Sequence, residues 1–327
     1  NQIFKKLPLL NIFSINILIV MLVLLITSFL NIKNIYILAI LFITSVLGLI
    51  LNKNFFIQKN FIKNYILFFV LSLILVFDLA GNPKLEWDGH GWYFHAFNFR
   101  EDFNFFNLMN ADRHTQPHLG GIFWGVIWNI SFYDYEFYGR TFYIILYLCA
   151  ILSVVENISK DFTNKFLVST ILIFLTYDKF LFSGYQEILI FSIIVIICNL
   201  MKKLDLKNLK SSQILFLTVF SSLLLWSKNE GIFFFIIITL YIVYFQNLKN
   251  KFIIIILSFF LIFLKFYLLS FNYSFDMSLS EPTFLSDLHF SYEKSLFILT
   301  HIIIALFKYP IWVLFIFILY ANKKYKK

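Results

Sequence analysis

The feature that most constrains this chain is a series of long apolar runs that recur along its 327 residues. The runs are flanked by Lys or Asn, and about 20 consecutive apolar residues are enough for an α-helix to cross the hydrocarbon core of a membrane. Charged residues make up only 14% of the chain, against about a quarter in soluble domains. The sequence therefore predicts an all-α polytopic membrane protein.

The runs predict about ten transmembrane helices in a single transmembrane domain that covers residues 1–327. We interpret the first run as a span rather than a cleaved signal peptide, because no small-residue cleavage site follows it. The predicted spans cover residues 9–30, 35–51, 65–80, 141–155, 166–182, 188–201, 213–227, 232–245, 252–271 and 295–320.

The apolar run HLGGIFWGVIWNI (118–130) is short and rich in Gly, so it is either a further span or a helix at the membrane surface. Loops on the cytoplasmic side of a membrane carry an excess of Lys and Arg. If 118–130 does not cross, the predicted inner loops hold 17 Lys against three acidic residues, and the outer segments hold eight basic residues against 15 acidic ones. The charge distribution therefore favours a juxtamembrane helix, with Trp124 and Trp128 at the headgroup level.

This topology places the long polar segments outside the membrane, where we expect any chemistry. Residues 81–140 form a predicted outer catalytic loop that includes the juxtamembrane helix, and residues 272–294 form a second outer loop. The remaining outer segments are short turns: FYDYEFYGR (132–140), SGYQE (183–187) and SKNEG (227–231).

The first outer loop contains EWDGHGWYFHA (86–96), which carries acidic and aromatic residues soon after a predicted span. Gly89 and Gly91 allow a tight backbone, and Trp92 is of a type that anchors a chain in the membrane interface. A carboxylate held against an apolar surface is a better proton acceptor, because burial disfavours its ionised form. Glu86 and Asp88 are therefore candidate general bases. The alternative is a solvated loop whose acidic residues only set the topology.

These outer segments resemble those of the C-type (GT-C) glycosyltransferases, polytopic enzymes that include protein O-mannosyltransferases, lipid A aminoarabinose transferases and rhizobial lipopolysaccharide galacturonosyltransferases. The family's first outer loop opens with an acidic motif before an aromatic residue. Asp88 is similar to that motif, with Glu86 displaced to two positions before it. RHTQPHLGG (113–121) resembles the His/Pro turn of the family. Three later turns also resemble family turns, and they carry Arg140, Glu187 and Lys228.

The resemblance covers roughly residues 65–245. It implies a GT-C-like fold and transfer of a sugar from a polyprenyl-phosphate donor to an envelope glycan, lipid or protein acceptor, with inversion. It also implies a bacterial cytoplasmic membrane, surrounding lipids as partners, and an active site that faces the periplasm or the outside.

The resemblance implies roles for individual residues. Asp88, with Glu86 as the alternate, would take the proton of the acceptor hydroxyl, while Lys228 and Arg140 would bind the donor phosphate. Substrate binding is assigned to polar residues of the outer segments, namely His90, His114, Gln116, His118, Glu187 and Glu230.

Both cations have an alternative interpretation that the sequence leaves open. Lys228 either binds phosphate or snorkels and pairs with Glu230. Arg140 either binds phosphate or pairs with Asp134 or Glu136. In the late spans, Lys265, Lys308 and His301 either line a cavity below the outer loop or snorkel and pair with one another.

The His residues of the first outer loop, with carboxylates nearby, raise the question of a metal site. None of them shows the i, i+4 pair of His with a Glu that is expected of a helical zinc protease site, so we assign no metal ligand. A divalent cation, Mg²⁺ or Mn²⁺, that bridges Asp88 and the donor phosphate stays open.

Other classes of protein make different predictions. A transporter or flippase predicts related halves and broken helices at the membrane midplane, and a non-catalytic scaffold predicts that the acidic and His residues are dispensable. Nucleic-acid binding is excluded, because the Lys residues are spread over short inner loops. Cys149 and Cys198 lie within apolar runs and predict neither a disulfide nor a metal site.

Overall fold

The computed structural model describes most of the chain between residues 9 and 273. The described residues are 9–30, 59–81, 84–85, 87–101, 117–130, 134–178, 182–204 and 209–273, with the isolated residues 32, 36, 39, 42, 43, 46, 105, 206 and 300. The chain divides into two compact units, Asn1–Phe275 and Asp276–Lys327. All described residues except Thr300 belong to the first unit, so the single transmembrane domain stays a prediction.

The described part of the chain is helical and contains no strand, which confirms the predicted all-α fold. In chain order the helices are α1 (Leu9–Phe29), α2 (Lys59–Gly81), α3 (Trp87–Glu101), α4 (Leu119–Ile130), α5 (Phe137–Ile158), α6 (Phe162–Thr176), α7 (Glu187–Lys203), α8 (Ser211–Ser221), α9 (Leu223–Ser227), α10 (Gly231–Phe245) and α11 (Leu248–Tyr273).

Several helices have the length and composition of membrane spans. Among the described residues, four helices are long and apolar enough to cross a membrane: α1, α2, α5 and α11. The other predicted spans that are described form shorter helices, so ten crossings are not confirmed. The predicted spans 35–51 and 295–320 lie outside the described residues except for a few isolated positions, as does almost all of the second outer loop.

Helix α5 forms the centre of the bundle. It packs against α1, α2, α4, α6 and α7. In the most apolar stretch of α5, 67% of the residues are buried, whereas the corresponding share for α11, at the periphery, is 22%. The Ser14 hydroxyl of α1 donates to the carbonyl oxygen of Cys149 in α5 at 2.8 Å. Such a short bond requires the two helices to approach closely, which small residues at the interface allow.

Helix α2 is apolar on both of its faces. Its inner face carries Leu67, Leu71, Leu75 and Leu79, which are between 1% and 6% exposed. Their spacing of four residues places them on one side of the helix. On other sides of the helix, Phe69 is 52% exposed and Phe77 is 74% exposed. A helix that is hydrophobic all round suits a membrane, where lipid covers the outer face.

Helices α3 and α4 approach each other closely because α4 carries glycines at the contact. A Cβ atom at Gly121 would lie 2.6 Å from His95 Cβ, and one at Gly125 would lie 2.4 Å from the Ala96 carbonyl oxygen. Both distances are shorter than atoms tolerate, so a larger residue would push the helices apart.

This close packing buries Trp side chains that we expected at the membrane interface. Trp92, Trp124 and Trp128 are 1%, 0% and 5% exposed, so they pack inside the protein. The expectation that Trp92 anchors the chain in the interface is therefore wrong. The Trp124 indole N–H instead donates to the Glu136 carbonyl oxygen at 3.1 Å, which ties α4 to the turn before α5.

Polar contacts distinguish the two ends of the bundle. At one end, here named the Arg140 end, the segments that precede α3, α5 and α7 meet around Arg140. At the other, named the Lys165 end, the Lys165 ammonium bonds Glu156 at 2.7 Å and Asn64 at 3.2 Å. The described parts of the predicted outer turns all lie at the Arg140 end.

We expect the residues on both sides of α4 to face the same side of the membrane. Helix α4 has 12 residues, which rise about 18 Å, short of the hydrocarbon core of about 30 Å. In a chain with both native Cys replaced by Ala, Asp112→Cys and Asp134→Cys should both react with an impermeant maleimide added outside. Lys160→Cys, near the Lys165 end, should react only after permeabilisation. Labelling of Asp112→Cys alone would mean that α4 crosses.

Candidate functional site

Asp88 lies in the first turn of α3, which also contains Gly89 and Gly91, the residues that we expected to allow a tight backbone. Gly89 serves a different purpose, because a Cβ atom there would lie 2.2 Å from the Ser183 carbonyl oxygen. Ser183 belongs to the turn before α7, and the next residue of that turn, Gly184, has a φ of +102°, a conformation that favours glycine. The start of α3 therefore contacts the turn before α7, and the Asp88 backbone lies beside that contact.

Arg140 is fully buried and connects three segments at the Arg140 end. Its guanidinium forms a bidentate ion pair with Glu136, at 3.0 and 2.6 Å. It also donates to the Phe182 carbonyl oxygen at 2.9 Å and to the Lys84 carbonyl oxygen at 3.5 Å. Of the two acidic partners that the sequence left open, Glu136 is the one found, and Asp134 belongs to another ion pair. Donor phosphate binding by Arg140 stays a prediction.

The Glu136–Arg140 pair is partly desolvated, because the Arg140 side chain is fully buried while that of Glu136 is 22% exposed. Burial raises the pKa of Glu136 above its ordinary value, while the charge and hydrogen bonds of Arg140 oppose that shift. Bidentate geometry is the arrangement in which a buried ion pair best offsets its desolvation. Each charged side chain of the pair is therefore stabilised in its position by the charge of the other.

The 182–187 turn is also fixed from within the bundle. The Gln186 side-chain amide donates to the Tyr143 hydroxyl and to the Gly184 carbonyl oxygen, both at 3.1 Å. Gln186 is fully buried. A Cβ atom at Gly120 would lie 1.6 Å from the Gln186 side-chain oxygen, so the Gln186 side chain can hold this position only because residue 120 is glycine. The turn is thereby locked between α4 and α5.

Lys228 lies between α9 and α10 and contacts two acidic residues. Its ammonium nitrogen is 2.6 Å from the Glu187 carboxylate and 3.8 Å from the Glu230 carboxylate. The Lys228 side chain is 20% exposed and that of Glu187 is 47% exposed. We expected Glu230 as the alternative partner, but the shorter contact is with Glu187. Three predicted site residues thus form one cluster that solvent reaches.

His118 lies in an aromatic cage. Four rings surround its imidazole at centroid distances of 4.5 to 5.7 Å, those of Phe29, Phe99, Phe105 and Trp226. Neither imidazole nitrogen has a hydrogen-bond partner among the described residues. Burial lowers the pKa of His118 well below its ordinary value, and His95 and Lys265 add to that shift. Burial therefore favours the neutral imidazole, which has one donor and one acceptor nitrogen.

Lys265 of α11 reaches the same end of the bundle. Its side chain is fully buried. Its ammonium bonds the side-chain oxygen of Asn229, in the turn that also carries Lys228, at 3.4 Å. Of the late-span cations that the sequence singled out, Lys265 therefore lies below the predicted outer turns, and Lys308 and His301 lie outside the described residues.

No protein-family model, no curated protein and no solved structure matches this chain. Function must therefore be inferred from the contacts of its own residues. The 182–187 turn connects the candidate residues: its start contacts Gly89 and Arg140, and its end carries Glu187, which binds Lys228.

Other predicted site residues are distributed differently. Glu86, His114, Gln116 and the Asp88 side chain lie outside the described residues. His90 is described and exposed, whereas His118 is buried. The polar contacts of Gln186 and Asn229 were not predicted from the sequence, and no spacing signal marks either residue.

The described residues hold no group of three His, Cys, Asp or Glu side chains that is placed to bind a metal ion. His90 is exposed, while His95 and His118 are buried. The divalent cation between Asp88 and a donor phosphate stays an open alternative.

Proposed function

We propose that this chain transfers a sugar from a polyprenyl-phosphate donor to a hydroxyl acceptor at the Arg140 end, with inversion at the anomeric carbon. The acceptor is an envelope glycan, lipid or protein, and the site faces the outside of a bacterial cytoplasmic membrane. One observation carries the proposal: the 182–187 turn contacts both the start of α3, where Asp88 lies, and Lys228. A proton acceptor and a cation are the two groups that this reaction needs.

In the proposed reaction Asp88 takes the proton of the acceptor hydroxyl, with Glu86 as the alternate base. The acceptor oxygen attacks the anomeric carbon as the bond between that carbon and the phosphate oxygen breaks on the opposite face. The new glycosidic bond therefore has inverted configuration. Polyprenyl phosphate leaves as a stable anion, so the reaction requires no acid for the leaving group.

Lys228 is the proposed contact for the departing phosphate. Its ammonium is held by Glu187 at 2.6 Å, and Glu187 is exposed enough to move aside when a phosphate replaces it. A fixed cation stabilises the charge that grows on the leaving oxygen. Because the donor phosphate is already charged, Lys228 also contributes to binding before reaction.

The remaining candidates have supporting roles. Glu230 shares the Lys228 ammonium at 3.8 Å, and Arg140 holds the 182–187 turn in place. The neutral His118 has the donor and acceptor that a sugar hydroxyl requires. The aromatic cage of His118 would have to open for such a contact, so substrate binding by His118 stays a prediction. His90 is exposed, and its role in substrate binding also stays a prediction.

Transport of a lipid-linked or small polar substrate is the second candidate, and the buried Lys265 within α11 favours it. Charged residues within membrane segments often mark transport pathways. The bond from Lys265 to Asn229 nevertheless draws its ammonium towards the Arg140 end. A transporter would carry the intact donor across vesicles without releasing polyprenyl phosphate, which separates the two functions.

We expect Lys228→Ala to weaken binding of polyprenyl phosphate, the released product, by about 10- to 100-fold, the range for loss of a charge-assisted bond. In transfer assays it should raise the donor KM and lower kcat. Lys228→Arg should keep part of both, because the charge survives while the geometry changes. Binding to the purified protein can be followed by native mass spectrometry before the acceptor is identified.

Two control variants separate phosphate binding from simple pairing. Lys160→Ala removes an exposed cation near the Lys165 end and should leave binding unchanged. Glu187→Gln should leave binding equal or tighter, because it removes the group that competes with phosphate. If Glu187→Gln is as harmful as Lys228→Ala, Lys228 serves the ion pair and not the phosphate, which would contradict its proposed role.

A further inference from the structure

A groove of about 560 Å³ lies between α7 and α10 at the Lys165 end, away from the proposed site. Its walls are apolar and include Met201 and Cys198 of α7 and Ile237 of α10. Leu206, in the segment after α7, also lines it. Its volume is within the range of about 300 to 1,000 Å³ that is usual for small-ligand sites.

Charge in the groove is confined to one position among the described lining residues. Lys202, in the last turn of α7, is exposed and is the only charged side chain of that lining. Tyr241 adds a hydroxyl from the facing helix. An apolar groove with one cation at its rim is complementary to an apolar chain that ends in a negatively charged group.

The residues around the groove favour a membrane lipid as the ligand that supplies this apolar chain. Ile237 and Tyr241 are 61% and 50% exposed, so the apolar lining continues onto the outer face of α10. Lys202 lies in a segment that the charge distribution places on the cytoplasmic side. Anionic lipids give the cytoplasmic leaflet its negative surface potential.

We propose that this groove binds an anionic phospholipid, with an acyl chain between α7 and α10 and the phosphate on Lys202. The proposal concerns a site separate from the Arg140 end and does not depend on glycosyl transfer. Lys203 offers a matched comparison, because it is adjacent, exposed and of the same type, yet it does not line the groove.

The native Cys198 reports occupancy of the groove, since it is exposed and lines it, while Cys149 is buried. The full chain with Cys149→Ala would be reconstituted in dioleoyl phosphatidylcholine vesicles, with or without a quarter of dioleoyl phosphatidylglycerol. We expect phosphatidylglycerol to slow alkylation of Cys198 by N-ethylmaleimide about fivefold, the size of one lysine contact at an anionic surface. Lys202→Gln should remove this protection, and Lys203→Gln should retain it.

Comparing each variant with and without phosphatidylglycerol cancels any direct effect of the substitution on the thiol. Equal protection in Lys202→Gln and the parent chain would overturn the proposal, because protection would then come from surface charge alone. Equal rates in both lipid mixtures would also overturn it. A Cys198 that is unreactive in both mixtures but reacts in detergent would mean that phosphatidylcholine covers the thiol as well as phosphatidylglycerol does, which would overturn the preference for an anionic lipid. A Cys198 that stays unreactive in detergent too would mean that the protein itself covers the groove, which would also overturn the proposal.

Discussion

Asp88→Asn should abolish sugar transfer while the protein stays folded and inserted. The substitution removes one proton-accepting group and changes almost no volume, and loss of a general base typically costs about 10²- to 10⁴-fold in rate. Asp88 lies in the first turn of α3, where Gly89 lets the backbone contact the turn that carries Glu187. The effect should appear in kcat, with membrane abundance equal to that of the parent protein.

Glu101→Gln is the matched control for this substitution. Glu101 ends the same helix and is 59% exposed, so its loss should leave transfer unchanged. Near-normal activity in Asp88→Asn with an inactive Glu86→Gln would move the role of base to Glu86. Normal activity in both variants would remove the mechanism.

Arg140→Met should destabilise the protein far more than the loss of an exposed charged residue. It leaves Glu136 without its bidentate partner and removes the bonds to the carbonyl oxygens of Phe182 and Lys84. Breaking a buried ion pair by removal of one partner costs about 3 to 5 kcal/mol, and since the Glu136 side chain is 22% exposed, we expect a loss near the lower end of that range. Thermal unfolding in detergent, followed by exposure of the buried Cys149 thiol, would measure the loss.

Arg100→Met provides the comparison, since Arg100 pairs at 2.7 Å with Asp134, which is 72% exposed. An ion pair with an exposed partner contributes about 0 to 1 kcal/mol, and the Arg100 guanidinium also lies 4.4 Å from the centroid of the Trp128 ring, a contact that contributes about 0.5 to 2 kcal/mol. Arg100→Met should therefore lower the unfolding temperature less than Arg140→Met does. The double variant Arg140→Met, Glu136→Gln should be less unstable than the sum of its single changes, because the pair is coupled. Equal unfolding temperatures for Arg140→Met and Arg100→Met would contradict the structural role of Arg140.

The helices were predictable because their signal is local. The apolar runs 65–80 and 232–245 lie within α2 and α10, since a continuous apolar stretch leaves few alternatives to a buried or lipid-facing helix. Helix α3 was harder to predict, because Gly89 and Gly91 are both unfavourable within a helix. Gly89 is instead explained by its contact with Ser183, which is distant in sequence.

At the site, too, contacts between residues close in sequence could be predicted, whereas contacts between distant residues could not. Glu136 stands four residues before Arg140, a spacing that brings side chains together on a helix, and the sequence singled it out as one of two partners. For Lys228 the sequence offered Glu230, two residues away, whereas the closer partner is Glu187, 41 residues away. The burial of His118 within an aromatic cage depends on rings from α1, α3 and α9, so local spacing gave no indication of it.

Mass spectrometry of cell-envelope glycans tests glycosyl transfer most directly, because the acceptor does not have to be identified beforehand. Cells that lack the gene would be compared with the same cells complemented by the parent chain, by Asp88→Asn or by Glu101→Gln. We predict that one sugar residue is missing from an envelope glycan without the gene, returns with the parent chain and with Glu101→Gln, and stays missing with Asp88→Asn. Identical envelope glycans in all of these cells would contradict the proposed function.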